Sequence, residues 1–403
     1  MNLKKLLFIL SLLVATAAYS SIPVYRNPVS PEFPILAWYS ILPDSAQTRE
    51  RYDELREAGF NISYSTFTGN EQIERALAAA EGSGVKLIVG SAPLYSDTKA
   101  TVDLFRDNDV VAGWFLRDEP VAAGFDDLGK FRDRIYDADS SRPMYLNLLP
   151  VMVPAEELGT VDYEDYVERF VERVRLPLIS YDFYPIVRDD STGQVYWREP
   201  HFENLEIVSR VARRHNMPFR AFCLSTAHHP YPVPGDSHMR FEAFTALAYG
   251  AQGIQYFTYW QPASKRWDFH HAPIDETGKR TDVYYMVKNL NREIQAIAPV
   301  FLGAEIDDVS FIGRVPKGTK ALEALPEGFE SIATDGETLL VSQFHNGNNR
   351  YIMLVNADID HARTVKAKRR KGLHCYNPDG TTTTDDPSRL IIIAPGSYFL
   401  AKY

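Results

Sequence analysis

Two adjacent acids and a proline, Asp118-Glu119-Pro120, end an apolar run that starts at Val110 (VVAGWFLRDEP, residues 110–120). A third acid, Asp182, lies in ISYDFYP at 179–185, flanked by Tyr181 and Tyr184. Carboxyl groups brought to one place can divide acid and base work. One gives a proton to a leaving oxygen, while another stabilises or attacks the carbon left behind, or activates a water. The proton donor must hold its proton near neutral pH, which calls for a partly apolar surround such as Trp114 or Trp260 can supply. Arg117, just before the acids, and Asn147, in PMYLNLL, add groups that bind or tune.

These residues need elements to position them. From residue 33 onward short apolar runs alternate with amphipathic stretches. Strands are expected at 33–40, 61–65, 86–90, 110–116, 143–149, 176–185, 218–225 and 253–260. Helices are expected between and after them, at 48–58, 71–84, 97–107, 124–137, 163–174, 202–215, 238–249 and 282–297. Eight strand–helix units predict an α/β fold, a (β/α)8 TIM barrel spanning residues 22–302. The strand runs are continuous rather than alternating, as expected of strands covered outside and packed inside. A doubly wound open sheet is the competing architecture, but no glycine-rich phosphate turn follows residues 33–40. In a barrel the site lies at the C-terminal ends of the strands. Those ends supply Trp38, Arg117, Asp118, Glu119, Asn147, Tyr181, Asp182, Tyr184, His228, Tyr259 and Trp260. Glu119 and Asp182 are the expected catalytic pair, and the others are expected to contact substrate. After residue 302 the pattern becomes short strands with turn signals (HNGNN, NPDG, DDP), predicting a small antiparallel β-sandwich over 303–403.

Bulk properties narrow the function classes. With a net charge of -10, and with the one basic run, KAKRRK at 366–371, short and local, nucleic acid is not an expected partner. With 23 Tyr and 22 Phe, the chain has rings enough to line a concave site. Polar edges and aromatic faces on one rim suit a sugar, so carbohydrate is the expected substrate. Two cysteines, Cys223 and Cys375, make no metal framework. His228, His229, His270 and His271 show no ligand spacing either, so no metal or cofactor is expected. MNLKK, then LLFILSLLVATAA and Ala15-Thr16-Ala17, reads as a secretory signal peptide over residues 1–20. Export to the periplasm or medium, with no stable membrane anchor, is the expectation.

GWFLRDEP resembles the strand-four segment of clan A glycoside hydrolases, in particular family 42 β-galactosidase-like barrels. The resemblance implies that Glu119 is the general acid/base. It places Asp118 where the clan has an asparagine that binds the sugar 2-hydroxyl. AYGAQGIQYFTYWQP (248–262) resembles strand eight of such barrels, which implies that Trp260 floors a sugar subsite. LNREIQAIAPVFLG (290–303) is similar to their closing helix. The clan also carries a nucleophilic Glu at the end of strand seven, whereas RAFCLSTAHH here has no acid. Glu242, further on, is expected to face solvent or cap its helix. The nearest substitute is Asp182: ISYDFYP is similar to the Tyr-Asp pair on strand six of family 18 chitinase-like barrels, though Phe115 and Arg117 stand where that family's strand four has acids before the Glu. The expectation is a glycoside hydrolase acting on a plant or microbial oligo- or polysaccharide. The alternative is a carbohydrate-binding pseudoenzyme.

Overall fold

In the computed structural model, which describes residues 32–42 and 44–403, eight parallel strands form the barrel. They are, in chain order, strands one (Ile35–Trp38), two (Ile62–Tyr64), three (Lys86–Val89) and four (Val111–Asp118). Strands five (Met144–Asn147), six (Ile179–Tyr181), seven (Phe219–Leu224) and eight (Ile254–Phe257) complete the set. Neighbours in sequence pair in space, and strand eight pairs with strand one. The ring closes between five and six through a bridge from Leu148 to Tyr181, with Leu148 N–H donating to the Ser180 carbonyl at 2.8 Å. The signal-peptide expectation lies outside the described residues.

Strand alternation assigns each residue a face. Leu36, Trp38, Tyr64, Phe115, Tyr145 and Phe222 point inward and pack together in the barrel lumen. Their sequence neighbours, such as Ala37, Trp114, Leu146 and Cys223, point outward and merge with the surrounding helices into the main core. The expected helices all form, the last running from Asp282 to Phe301. The long loop after strand six holds a two-stranded hairpin, Ile186–Arg188 with Val195–Trp197.

From Glu305 the chain forms a six-stranded antiparallel sheet facing a three-stranded one. Phe329, Leu339, Ile352, Leu354, Val365 and Ile393 fill the space between them. The HNGNN segment is the tight turn joining Leu339–Asn346 to Asn349–Asn356, with Gly347 at φ 56°. This sandwich sits on the helices that follow strands seven and eight. Ser342 Oγ donates to the Ala248 carbonyl at 2.6 Å. Arg240 grips Glu293 at 2.7 and 2.9 Å and also reaches Ser397 Oγ at 2.9 Å. Cys223 and Cys375 are both free thiols.

Strand four leaves no room at Gly113. A β-carbon there would collide with the Pro143 carbonyl oxygen, which already accepts the Trp114 N–H at 3.0 Å. Gly113→Ala should therefore destabilise the protein by about 1–3 kcal/mol, as forced overpacking does. Urea unfolding measures this, and an unchanged midpoint would mean that strands four and five do not pack this tightly.

Candidate active site

Asp118 owes its position to a β-bulge. Phe115 pairs with Tyr145 and points inward, so strict alternation would turn Asp118 outward. An extra residue between Phe115 and Arg117 resets the register, and Asp118 comes opposite Asn147 on the inward face. Glu119 follows with φ 46°, a left-handed conformation uncommon outside glycine. Its backbone is held on both sides. Glu119 N–H donates to the Asn147 carbonyl at 2.9 Å, and the Tyr166 hydroxyl donates to the Pro120 carbonyl at 2.6 Å. The outlier marks a residue whose position is enforced by its surroundings.

Asp182, just past strand six, points inward like Asn147. The Asn147 amide nitrogen donates to Asp182 Oδ1 at 3.1 Å and to Asp118 Oδ1 at 3.4 Å. Asp182 lies close enough to Glu119 to act on its proton affinity. Three carboxyl groups and one amide thus share a small volume at the C-terminal rim. Asp118 and Glu119 keep solvent access along the open side of the cleft, while protein crowds them elsewhere.

Crowding raises the proton affinity of all three. Burial, and then the charge of Glu119, lift Asp118 to about 7. Burial holds Glu119 above the ordinary carboxylate range, with Asp182 pulling the other way. Asp182 stands well above that range, first through burial and then through the charges of Glu119 and Asp118. Like charges at this spacing resist full ionisation, so the cluster retains protons near neutral pH. Among the described residues, no group of three His, Cys, Asp or Glu is arranged to hold a metal ion.

The other expected residues divide. Tyr184 stands at the cleft, near enough to the three acids for their charges to raise its hydroxyl pKa after burial. Arg117 is exposed beside Asp118 and Tyr95. Trp38 lies below the acids, only 3% exposed, in ring contact with Tyr64, Phe115, Tyr145 and Phe222. It is the packed floor and offers substrate no open face. His228 sits in the wall beyond Tyr184, buried against Tyr231, Phe257 and Phe269. Burial lowers its pKa.

Three expectations are not brought to the site. Tyr181 is adjacent to Asp182, and alternation sends it to the opposite face, into the outer core. Tyr259 is buried outside the barrel between Phe60 and Tyr284. Trp260 is buried under the Arg51 guanidinium, 5.2 Å from its ring centre, and against Gly278. It is not a sugar platform here. Tyr39 and Phe257 occupy the place expected of it, half-buried at the cleft with ring centres 6.0 Å apart. Tyr39 is held at φ 48° and feels the charge of Asp118. Its position at a strand end was the available signal.

Glu242 neither faces solvent nor caps its helix. It is 3% exposed, behind strand seven, and its Oε2 accepts the Leu224 N–H at 2.7 Å. Strand six pairs with strand seven only up to Ala221, so Leu224 N–H needs another acceptor. Strand seven itself ends in Leu224, Ser225 and Thr226, with no carboxylate at the cleft.

The sequence model of the family described as Beta-galactosidase, glycoside hydrolase family 42, matches residues 152–297. The match takes in strands six to eight and Asp182 and begins beyond Glu119. Comparison with curated proteins gives no match. The structure is similar to the E323A catalytic mutant of a family 42 β-galactosidase from G. stearothermophilus. That likeness has a TM-score of 0.64 at 8% identity and covers 93% of this chain and 98% of that one. It is also similar to the β-galactosidases of Bacillus circulans sp. alkalophilus (0.57, 10% identity, 92% and 99%) and Rahnella sp. R3 (0.56, 10%, 93% and 99%). These likenesses show the shared fold, a TIM barrel with a C-terminal β-domain. Together with the family match over residues 152–297, they support a glycosidase whose barrel is similar to those of family 42.

Burial raises the Glu242 pKa well above its ordinary value. Such a group contributes most to stability below its unfolded value of about 4.3, and that contribution is lost as pH rises toward the folded value. Glu242→Gln keeps an acceptor for Leu224 and removes the titration. Its stability relative to wild type should rise between pH 5 and pH 8, read from urea midpoints. A difference independent of pH would mean that Glu242 is not held as the neutral acid.

Proposed function

We propose that this chain hydrolyses O-glycosidic bonds of a plant or microbial oligo- or polysaccharide, with Glu119 as general acid and Asp182 as the second carboxylate. The observation that carries the reading is the crowding of Asp118, Glu119 and Asp182 at the C-terminal rim, where the Asn147 amide donates to Asp182 at 3.1 Å and to Asp118 at 3.4 Å and burial raises the proton affinity of all three. The two carboxyls titrate as a coupled pair, and in the form with the proton on Glu119 and Asp182 ionised, Glu119 gives that proton to the leaving glycosidic oxygen. The anomeric carbon develops positive charge as that bond breaks, and the Asp182 carboxylate faces it. Water then releases the sugar, with Glu119 taking up the water's proton. Asp118 takes the role of sugar-hydroxyl ligand, and Arg117 tunes its charge. Tyr39, Tyr184 and Phe257 supply apolar faces. Residues 1–20 support export as the setting, before a soluble polysaccharide is met.

A second reading keeps the cleft and drops the reaction: a carbohydrate-binding protein without turnover. The acid-free end of strand seven favours it. A glycan panel analysed by mass spectrometry in ¹⁸O-labelled water separates the two. Wild type should release a reducing sugar carrying ¹⁸O. Glu119→Gln should lower kcat by about 10²–10⁴-fold on natural linkages and much less on aryl glycosides whose leaving groups need no proton. Asp182→Asn should impair both substrate types. Binding of a glycan with no release from any member of the panel would select the second reading.

An exposed ring beyond the acids supports an oligosaccharide. Next to Tyr184, Phe257 (5.7 Å) clusters with Phe269 and the buried His228 (6.0 Å each), and His228 meets Trp267 (5.9 Å). Trp267 remains 45% exposed, unlike Trp197, which packs on Phe202 and Phe241. Trp267→Ala should raise KM for a tetrasaccharide about tenfold, as loss of one stacking contact does, and leave an aryl monoglycoside unchanged. Equal effects on both would argue for a structural role of that ring.

A further inference from the structure

Beneath the carboxyls lies a buried polar chain that the reaction itself does not use. Tyr145, Ser180 and Gln255 come from strands five, six and eight, all pointing inward and all buried. The Tyr145 hydroxyl donates to Gln255 Oε1 at 2.6 Å. That contact fixes the Gln255 amide, so its Nε2, a donor only, faces Ser180 Oγ at 2.9 Å. Ser180 Oγ, having accepted that proton, gives its own to Asn147 Oδ1 at 3.0 Å. With its oxygen engaged from below, Asn147 must present its nitrogen upward, where it meets Asp182 and Asp118.

We propose that Tyr145, Ser180 and Gln255 are positioning residues that lock the Asn147 amide with its N–H groups toward the acids. Were the amide reversed, its oxygen would face the carboxyls, an arrangement tolerable only if the acids held an additional proton to donate. The chain of donors therefore sets how readily the acids ionise while touching no substrate. It rests on the proposed role of the cluster for its catalytic meaning but not for its geometry. Other groups act on the same carboxyls. They are Arg117, Tyr39 and Tyr64 from strands four, one and two, Tyr145, Tyr181 and Tyr184 from strands five and six, and Tyr163 and Tyr166 from the next helix. All of these except Tyr145 remain in the variants below.

The test is Ser180→Ala, with Tyr145→Phe as a second variant should the first fail to fold, read in two independent ways. The first reading is the titration of the Asp and Glu carboxyls by ¹³C NMR or infrared difference spectra, which needs no activity. Both variants should ionise the acid cluster at higher pH than wild type. The second reading is kinetic: kcat should fall about tenfold with KM changed less than about threefold, and the acid limb of the pH–rate profile should move upward. In an Asn147→Ala background the Ser180 change should add little, because the two residues act through one contact. An unmoved carboxyl titration in both variants, or additive effects with Asn147→Ala, overturns the inference. A moved titration in a protein that cleaves no glycan upholds the positioning role and removes the proposed function instead.

Discussion

Three carboxyl groups crowded at one rim cannot all be ionised at an ordinary cost, and the site is organised around that constraint. Coulomb repulsion between near neighbours grows as water is excluded, and an unpaired buried charge is penalised further. The structure relieves this in two ways. Protons stay on the cluster, which makes an acid available at neutral pH. The Asn147 amide also donates to two of the carboxyls at once. One electrostatic problem thus produces both a proton donor and a reason for a buried asparagine next to it.

The constraint propagates downward. An amide that must donate to acids needs its oxygen satisfied elsewhere, and only a polar group within the lumen can do this. Ser180 and Gln255 interrupt apolar strands for that reason, and both are fully buried. The hydrophobic lumen surrounds them with Trp38, Phe115 and Phe222, which raises the cost of leaving any one of them unpaired. The barrel's parallel closure between strands five and six brings Asn147 and Ser180 side by side.

How much of this was legible in the sequence follows from what period and composition encode. The eight units and the later β-domain were readable because continuous apolar runs, amphipathic helices and turn residues repeat at recognisable lengths. Glu119 and Asp182 were readable because acids at the ends of such runs are conspicuous. The face of each residue was less so. Tyr181 was grouped with Asp182 although neighbours on a strand point apart. The bulge at Leu116 that brings Asp118 inward has no local sequence signature. Trp260 followed the family resemblance to a subsite floor, but the Arg51 guanidinium and the turn at Gly278 cover it. Glu242 reads as an exposed helical acid until strand pairing shows an orphan N–H at Leu224.

The remaining asymmetry concerns the two walls of the cleft. Strands four and six carry the acids at their very ends, and the loops that follow six, seven and eight are long and aromatic. Long loops lose order unless they are tied together. Here Arg188 N–H donates to the Pro230 carbonyl at 3.0 Å, and Ala227 and His270 exchange two backbone bonds at 2.9 and 3.0 Å. His229 bridges to Asp190 and Asp268, at 2.9 Å each. The C-terminal sandwich packs on the helices following strands seven and eight, the same units that carry the last two of these loops. A shift of those helices would move the ring wall relative to acids anchored on the opposite side. On this argument the β-domain serves the site by holding its apolar half still, without contributing a residue to it.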